Sequence, residues 1–299
     1  MPGLNLKSAS AIVTGAGSGI NLAFAKNLFE KGCSVLIADI GLRPEAQAFI
    51  DPAEQNGGPK VVFQSTDVTD WSQLQKAFDV AKENFGNVPD LVCPGAGIYE
   101  PVRHRQPRLE FWGDVDSPSH YKIIDINLIH PIKMTRIAIR EMLRAKKVGT
   151  ILHIASVAAE TVSVITPLYQ TSKHGIDSFV MGMGPLEGLY GIRVLGVAPG
   201  SIKTPLLLED PNVSGWLDPK KDKMLDPSVV ARALVALAEN ANNRYPAGTL
   251  QEVTEVSEES WRSIPLYNNP GPPHMNLISN KDSAIDTIQE ILKGVVEQS

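Results

Sequence analysis

At 299 residues, 43% hydrophobic and 20% charged, the chain is long enough to bury a substantial core without disulfide or metal staples. Its formal net charge of −5 leaves no basic surplus, which argues against nucleic-acid and anionic-membrane binders. Only Cys33 and Cys93 occur, both in apolar segments, so no disulfide framework is expected and a reducing, cytoplasmic setting is. The opening residues lack the pattern of a secretory signal, and no window approaches ~18 uninterrupted apolar residues, so no membrane span is expected.

Short apolar runs then alternate with helix-length amphipathic ones. Ser10–Thr14 reads as a first strand, followed by a glycine-rich turn and a helix over about Ile20–Glu30. Ser34–Ala38 and Lys60–Gln64 read as strands two and three, Trp71–Phe85 as a helix and Leu91–Cys93 as strand four. Helices over about Tyr121–Lys146 and Leu168–Leu189 bracket strand five, Thr150–Ala155. Arg193–Val197 is strand six, Gly248–Val253 strand seven, and an amphipathic helix over about Ser283–Val296 closes the chain. Strands that are apolar throughout need cover on both faces. The pattern predicts an α/β fold: a single Rossmann-type, doubly wound parallel sheet of about seven strands with helices on both faces.

Three stretches break the alternation: Glu100–His120, Ser201–Asp226 and Trp261–Met275. The first two follow strands four and six at the carboxyl edge of the sheet, where open α/β folds bind ligands, and are read as site-shaping loops. Glu100–His120 carries Phe111, Trp112, Arg103, His104, Arg105 and Arg108, the arginines suited to a substrate carboxylate or phenolate. The stretch after Thr204 carries Leu206, Leu207, Leu208, Trp216, Leu217, Met224 and Leu225, more apolar groups than one short helix buries, and is expected to close over an apolar ligand as a lid.

The turn after strand one reads Thr14-Gly15-Ala16-Gly17-Ser18-Gly19-Ile20-Asn21. Glycines there let the backbone approach a pyrophosphate, while free N–H groups and the dipole of the helix favour the anion. Asp39 lies twenty residues beyond Gly19, where a carboxylate accepts from both ribose hydroxyls of NAD and repels the extra phosphate of NADP. Arg43, four residues farther, is the one basic group placed to fold back onto a 2′-phosphate. Tyr169 and Lys173 share a helix face at i and i+4. An ammonium beside a phenol favours the phenolate and makes Tyr169 a usable general acid/base. Ser156, closing strand five at the same sheet edge, is placed to hold a substrate oxygen beside that phenol.

These residues, in this order and spacing, resemble the short-chain dehydrogenase/reductase family over about Lys7 to Val253, and look most similar to its 15-hydroxyprostaglandin dehydrogenase-like branch and to fungal secondary-metabolite alcohol dehydrogenases. The resemblance implies a catalytic set of Asn127, Ser156, Tyr169 and Lys173, with Asn127 anchoring a water of the proton relay and Lys173 holding the nicotinamide ribose. It implies cofactor contacts from Gly15, Gly17, Ser18, Gly19, Ile20, Asp39, Asp67, Val68, Gly95, Ala96, Gly97, Pro199, Gly200, Ile202 and Thr204, besides Tyr169 and Lys173. Asp67 would meet the adenine, and Ile202 and Thr204 the nicotinamide carboxamide. Two departures stand out. Asn21 replaces the third glycine, which is expected to set its helix slightly outward, and Pro94-Gly95 replace two asparagines.

The expected function is an NAD(H)-dependent oxidoreductase that interconverts a bulky, mostly apolar secondary alcohol and its ketone, in secondary metabolism, with no metal. The alternative is a Rossmann-fold NAD-binding protein recruited to sensing or a non-redox role; the intact tetrad argues against it. A serine hydrolase is excluded by the absence of a G-x-S-x-G elbow around Ser156, and the six histidines form no metal motif. In this view residues 1–260 are the catalytic domain, with a lid near 201–226, and residues 261–299 an extension packed on it. The expected partners are a small apolar alcohol or ketone and further copies of the chain, as a homodimer or homotetramer pairing through the helices of Asn127 and Tyr169.

Overall fold

In the computed structural model the described residues are 2–53, 58–100, 111–112, 120–209, 218, 220–264 and 281–297. The strands are β1 (Ser10–Thr14), β2 (Ser34–Asp39), β3 (Val61–Ser65), β4 (Leu91–Cys93), β5 (Gly149–Ile154), β6 (Ile192–Pro199), β7 (Leu250–Val253) and β8 (Arg262–Ile264). They form one sheet in the order β3-β2-β1-β4-β5-β6-β7-β8, parallel throughout except for β8, which runs antiparallel to β7. The order reverses between β1 and β4, and a crevice opens there at the carboxyl ends of the strands.

The helices are α1 (Gly19–Glu30), α2 (Pro44–Ala53), α3 (Trp71–Phe85), α4 (Lys122–Ile124), α5 (His130–Arg144), α6 (Pro167–Gly182), α7 (Leu186–Tyr190), α8 (Pro205–Leu208), α9 (Pro227–Glu239) and α10 (Lys281–Glu297). Alternate strand residues feed two cores. Ala11, Val13, Val35 and Ile37 pack with Phe24 and Leu28 of α1 and Val230 and Leu234 of α9 on one face. Ile12, Leu36 and Val92 pack with Phe78 of α3, Met134 of α5, Ile176 of α6 and Leu292 of α10 on the other. Helices on both faces and a parallel sheet are as the apolar strands demanded.

Several boundaries differ from the sequence expectation, each for a local reason. The helix expected over Tyr121–Lys146 is interrupted by a π turn at Asp125–Ile129, where the His130 N–H reaches the Asp125 carbonyl. Pro131 has no N–H to give the Asn127 carbonyl, so regular α pairing cannot run through this point. The helix expected over Leu168–Leu189 ends at Gly182 and restarts at Leu186, because Gly182, Gly184 and Pro185 interrupt it. Helices α2 and α9 fall where none was expected. α9 is buried along most of its length, which blurs its period, but it is announced by Pro227 after an Asp226 cap that accepts the Ser228 N–H. Of the stretch expected to be irregular from Trp261, residues 262–264 instead add the eighth strand, beside a buried Trp261.

Candidate active site

Gly15 and Gly19 hold the left-handed conformation, at φ of 71° and 59°, that the tight turn between β1 and α1 requires. A Cβ on Gly17 would sit 2.3 Å from the Gly41 carbonyl oxygen, so only a glycine allows this approach of the two loops. Ser18 caps α1 without a side-chain bond, and Leu22 is the first to close on the helix, onto the Ser18 carbonyl at 3.2 Å. The N–H groups before it are those a helix leaves unpaired, and Gly19, Ile20 and Asn21 border a cavity. This is a cradle for an anion. Asp39 ends β2 against it, accepting the Gly17 N–H at 2.8 Å and the Gly41 N–H at 3.3 Å. Arg43 does not turn toward Asp39; its guanidinium bonds Glu209, at the end of α8, and pairs with Glu45.

The segment after β4 is pinned from three sides. Asn21 donates through Nδ2 to the Gly95 carbonyl at 2.8 Å, and a Cβ on Gly95 would lie 2.2 Å from Asn21 Oδ1. The two departures from the family pattern are therefore complementary: the amide lost at position 95 is supplied from position 21, in the same space. Thr14 Oγ1 accepts the Ala96 N–H at 3.2 Å and lies 3.1 Å from His130 Nε2. His130 Nδ1 faces the Ile126 carbonyl at 3.1 Å, an acceptor only, so Nδ1 carries the proton and Nε2 accepts from Thr14. Asn127, in the π turn, accepts the Ile98 N–H through Oδ1 at 2.9 Å and donates through Nδ2 to the Ile98 carbonyl at 2.8 Å.

Ser156, Tyr169 and Lys173 converge on the cavity from the end of β5 and the first two turns of α6. Ser156 Oγ accepts the Ala158 N–H at 3.1 Å, and Ser156 shares the cavity wall with the Tyr169 phenol. Burial pushes that phenol up to about 12, against the opposing effect of Ser156. Lys173 donates to the Ile154 carbonyl at 2.8 Å, its Nζ lies 5.6 Å from the centre of the Tyr169 ring, and burial pulls it down to about 8 while Asp177 opposes. Desolvation is the largest influence on the phenol, and Ser156 is the group that acts against it.

One cavity of about 780 Å³ unites these parts. Gly15, Ser18, Gly19, Ile20, Asp39, Asp67, Val68, Gly95, Ala96, Gly97, Ser156, Tyr169, Lys173, Pro199, Gly200, Ile202 and Thr204 all border it. Gly17 and Asn127 do not, and act from behind the wall through Asp39 and Ile98. Asp67 already accepts the Thr69 N–H and hydroxyl, which hold its carboxyl below the usual range. Sequence reasoning missed Lys122, Glu160, Glu252 and Thr254 on the wall; none belongs to a motif, and only the fold brings them there. Leu206 and Leu207 of α8 border the cavity, while Arg103, His104, Arg105, Arg108, Trp216 and Leu217 lie outside the described residues. Among the described residues no cluster of potential metal ligands occurs, and no helix is long and apolar enough to cross a membrane.

A glycine cradle at the switch point of a doubly wound sheet, sharing a cavity with serine, tyrosine and lysine, defines a Rossmann-type oxidoreductase. Residues 9–212 match the short chain dehydrogenase family, and the chain belongs to it. The 3-hydroxyacyl-CoA dehydrogenase type-2 of Homo sapiens is 31% identical over 246 residues, covering 79% of this chain and 91% of that protein. The NAD(+)-named 15-hydroxyprostaglandin dehydrogenase of Bos taurus is 28% identical over 252 residues, covering 79% and 88%. The crystal structure of a short-chain type dehydrogenase/reductase from Mycobacterium marinum superposes with a TM-score of 0.68 at 24% identity, over 84% of this chain and 94% of that one, a likeness of fold.

Proposed function

We propose that the chain is an NAD(H)-dependent oxidoreductase interconverting a bulky, mostly apolar secondary alcohol and its ketone by direct hydride transfer. The observation that carries this is the single cavity holding the glycine cradle at one end and Ser156, Tyr169 and Lys173 at the other. Gly15, Ser18, Gly19 and Ile20 would hold the pyrophosphate, with Gly17 holding Asp39 from behind; Asp39 would take the adenosine ribose, Asp67 and Val68 the adenine side, and Gly95–Gly97, Pro199, Gly200, Ile202, Thr204 and Lys173 the nicotinamide half. When bound, the nicotinamide supplies the acceptor or donor of the hydride. In oxidation, Tyr169 as phenolate takes the alcohol proton on Oη while the carbinol hydride leaves with its electron pair and the C=O bond forms. In reduction the neutral phenol returns the proton to the forming alkoxide. Ser156 orients the substrate oxygen, and Asn127 acts as a positioning residue by fixing Ile98.

NAD is favoured over NADP by the Asp39 carboxylate, by Ser18 where a basic residue would serve a 2′-phosphate, and by the engagement of Arg43 with Glu209 and Glu45. The apolar lining of Ile98, Tyr99, Val157, Ala158, Leu206 and Leu207 supports a bulky apolar substrate. Both named relatives carry hydroxyacyl or hydroxyprostaglandin substrates in their names. The test is turnover of secondary alcohols of graded size with NAD and NADP. Activity confined to small polar alcohols, or higher efficiency with NADP, overturns the proposal.

Residues 261–299 are read as an extension of the same domain, since β8 joins the sheet and Leu292 of α10 enters a core cluster. A homodimer or homotetramer is expected to pair through α5, α6 and also α10, which packs on α5 and leaves Ile285, Ile288 and Ile291 exposed; a monomer in sedimentation at micromolar concentration counts against it. The buried, unpaired Cys33 and Cys93 support a cytoplasmic location.

A further inference from the structure

Helix α6 presents Tyr169 in its first turn, and that turn is capped from outside. Thr166 stands at the N-cap but makes no side-chain cap bond. Tyr99 lies against this turn, its ring 4.6 Å from the Tyr169 ring, centre to centre. Pro167 follows with no N–H to satisfy. The next residue, Glu100, supplies the missing acceptor: its Oε2 accepts the backbone N–H of Tyr169 itself at 2.9 Å. Its other oxygen, Oε1, accepts the Phe111 N–H at 3.1 Å. Trp112, beside it, donates through Nε1 to the Val164 carbonyl at 2.8 Å, just ahead of the catalytic helix.

Glu100 is 1% exposed, and a buried carboxylate is costly unless hydrogen bonds and favourable charge receive it. The N-terminus of a helix offers both, through unpaired N–H groups and the positive end of its dipole. An acid is thus held where a residue with no side-chain acceptor would leave the Tyr169 N–H buried without a partner. We propose that Glu100 is a positioning residue for the reaction: it fixes the backbone of Tyr169 and ties Phe111 to the same point. A phenol on a loosened first turn loses its alignment to the substrate oxygen, while the glycine cradle and Asp39, built on other elements, keep theirs.

Glu100 has this role only if Tyr169 is the proton-transfer group proposed above, so Tyr169→Phe is measured in parallel. The experiment compares kcat on a secondary alcohol with the Kd of NADH, followed by fluorescence titration, for Glu100→Ala and Glu100→Gln. Glu100→Ala is expected to lower kcat roughly ten- to a hundredfold, the scale of a misplaced catalytic group, with the NADH Kd within about twofold of the parent on the same ground. Glu100→Gln, which keeps one oxygen to accept an N–H, is expected to recover part of that loss. An unchanged kcat in Glu100→Ala, a Kd that rises in step with the loss of kcat, or a Gln variant no better than Ala overturns the proposal. Should Glu100→Ala not fold, Glu100→Asp replaces it, because the shorter carboxylate cannot span both N–H groups; the same loss of kcat at constant Kd is expected and parental kcat refutes it. An active Tyr169→Phe would overturn the functional reading itself, whereas an inactive one beside a fully active Glu100→Ala overturns the positioning role alone.

Discussion

Exchanging Asn21 and Gly95 tests whether the two family departures form one unit. Gly95 is not in the left-handed region, so a side chain there meets no backbone strain and its cost is steric. In Gly95→Asn the new Cβ lands 2.2 Å from Asn21 Oδ1 and 2.7 Å from its Cγ, and overpacking of this kind costs about 1–3 kcal/mol. Asn21→Gly removes the 2.8 Å bond to the Gly95 carbonyl. That loss is about 1 kcal/mol, and a glycine in the helix adds about 0.5–1 kcal/mol, partly offset because Asn21 Oδ1 has no partner to lose. Independent changes would therefore sum to roughly 2–5 kcal/mol. In the double variant the collision disappears and the amide returns to the same space, leaving the helix glycine, about 1 kcal/mol. Urea unfolding followed by circular dichroism gives the three stabilities, and NADH titration reports whether the Gly95–Gly97 segment is restored. A double variant equal to the sum of the singles within about 0.5 kcal/mol refutes the coupling.

Tyr169→Phe should abolish nearly all turnover and leave NADH affinity largely unchanged, read by steady-state rates beside fluorescence titration. Because burial holds the Tyr169 phenol near about 12, the phenolate fraction grows with pH, so the rate of alcohol oxidation should climb across the neutral range; a flat profile with chemistry rate-limiting contradicts this. Asp39→Ala should narrow the gap in efficiency between NADH and NADPH, and kinetics with both cofactors checks it. His130 and His153 are fully buried and pulled down to about 4 and about 3, chiefly by desolvation, with Lys173 adding to both. Between those values and the unfolded 6.5 the unfolded chain binds more protons, so stability is full above pH 6.5 and falls as pH drops toward 4, by on the order of 3 kcal/mol for each histidine. Denaturant midpoints that stay constant between neutral pH and pH 4.5 would contradict this.

What the sequence made legible is what local chemistry encodes. Strands such as β2, apolar from Val35 to Ala38, can only be central, and a glycine turn between strand and helix has few other uses. Tyr169 and Lys173 are bound together by helix geometry within five residues, which is why their pairing on one wall was readable. Lys122, Glu252 and Thr254 carry no such local mark; they reach the cavity from the short helix α4 and from the end of a late strand. Glu100 was legible only as the start of a polar loop, because its partner is a backbone N–H that is 69 residues away. The π turn itself had a signal, Pro131, but a proline near the start of a helix also marks an ordinary first turn, and only the chain upstream of it decides between the two.

The stretch from Gly95 to Glu100 explains why these long-range contacts matter together. β4 is only three residues long, and the segment beyond it makes no strand pairing. Its position is instead dictated by side chains from elsewhere: Asn21 of α1 on Gly95, Thr14 of β1 on Ala96, Asn127 of the π turn on Ile98, and Glu100 reaching out to α6. The first two contacts lie on the side of the glycine cradle, and the last two on the side of Tyr169. A chain that lacks the family's asparagines at 94 and 95 can therefore keep both halves of the cavity in register, because the register is fixed by contacts from four elements. Each contact is a hydrogen bond worth only about 1 kcal/mol, but all four are at least partly buried, where an abandoned donor or acceptor costs more than the bond itself contributes. Loss of any one should thus be felt first as misalignment between cradle and phenol, and only second as loss of fold.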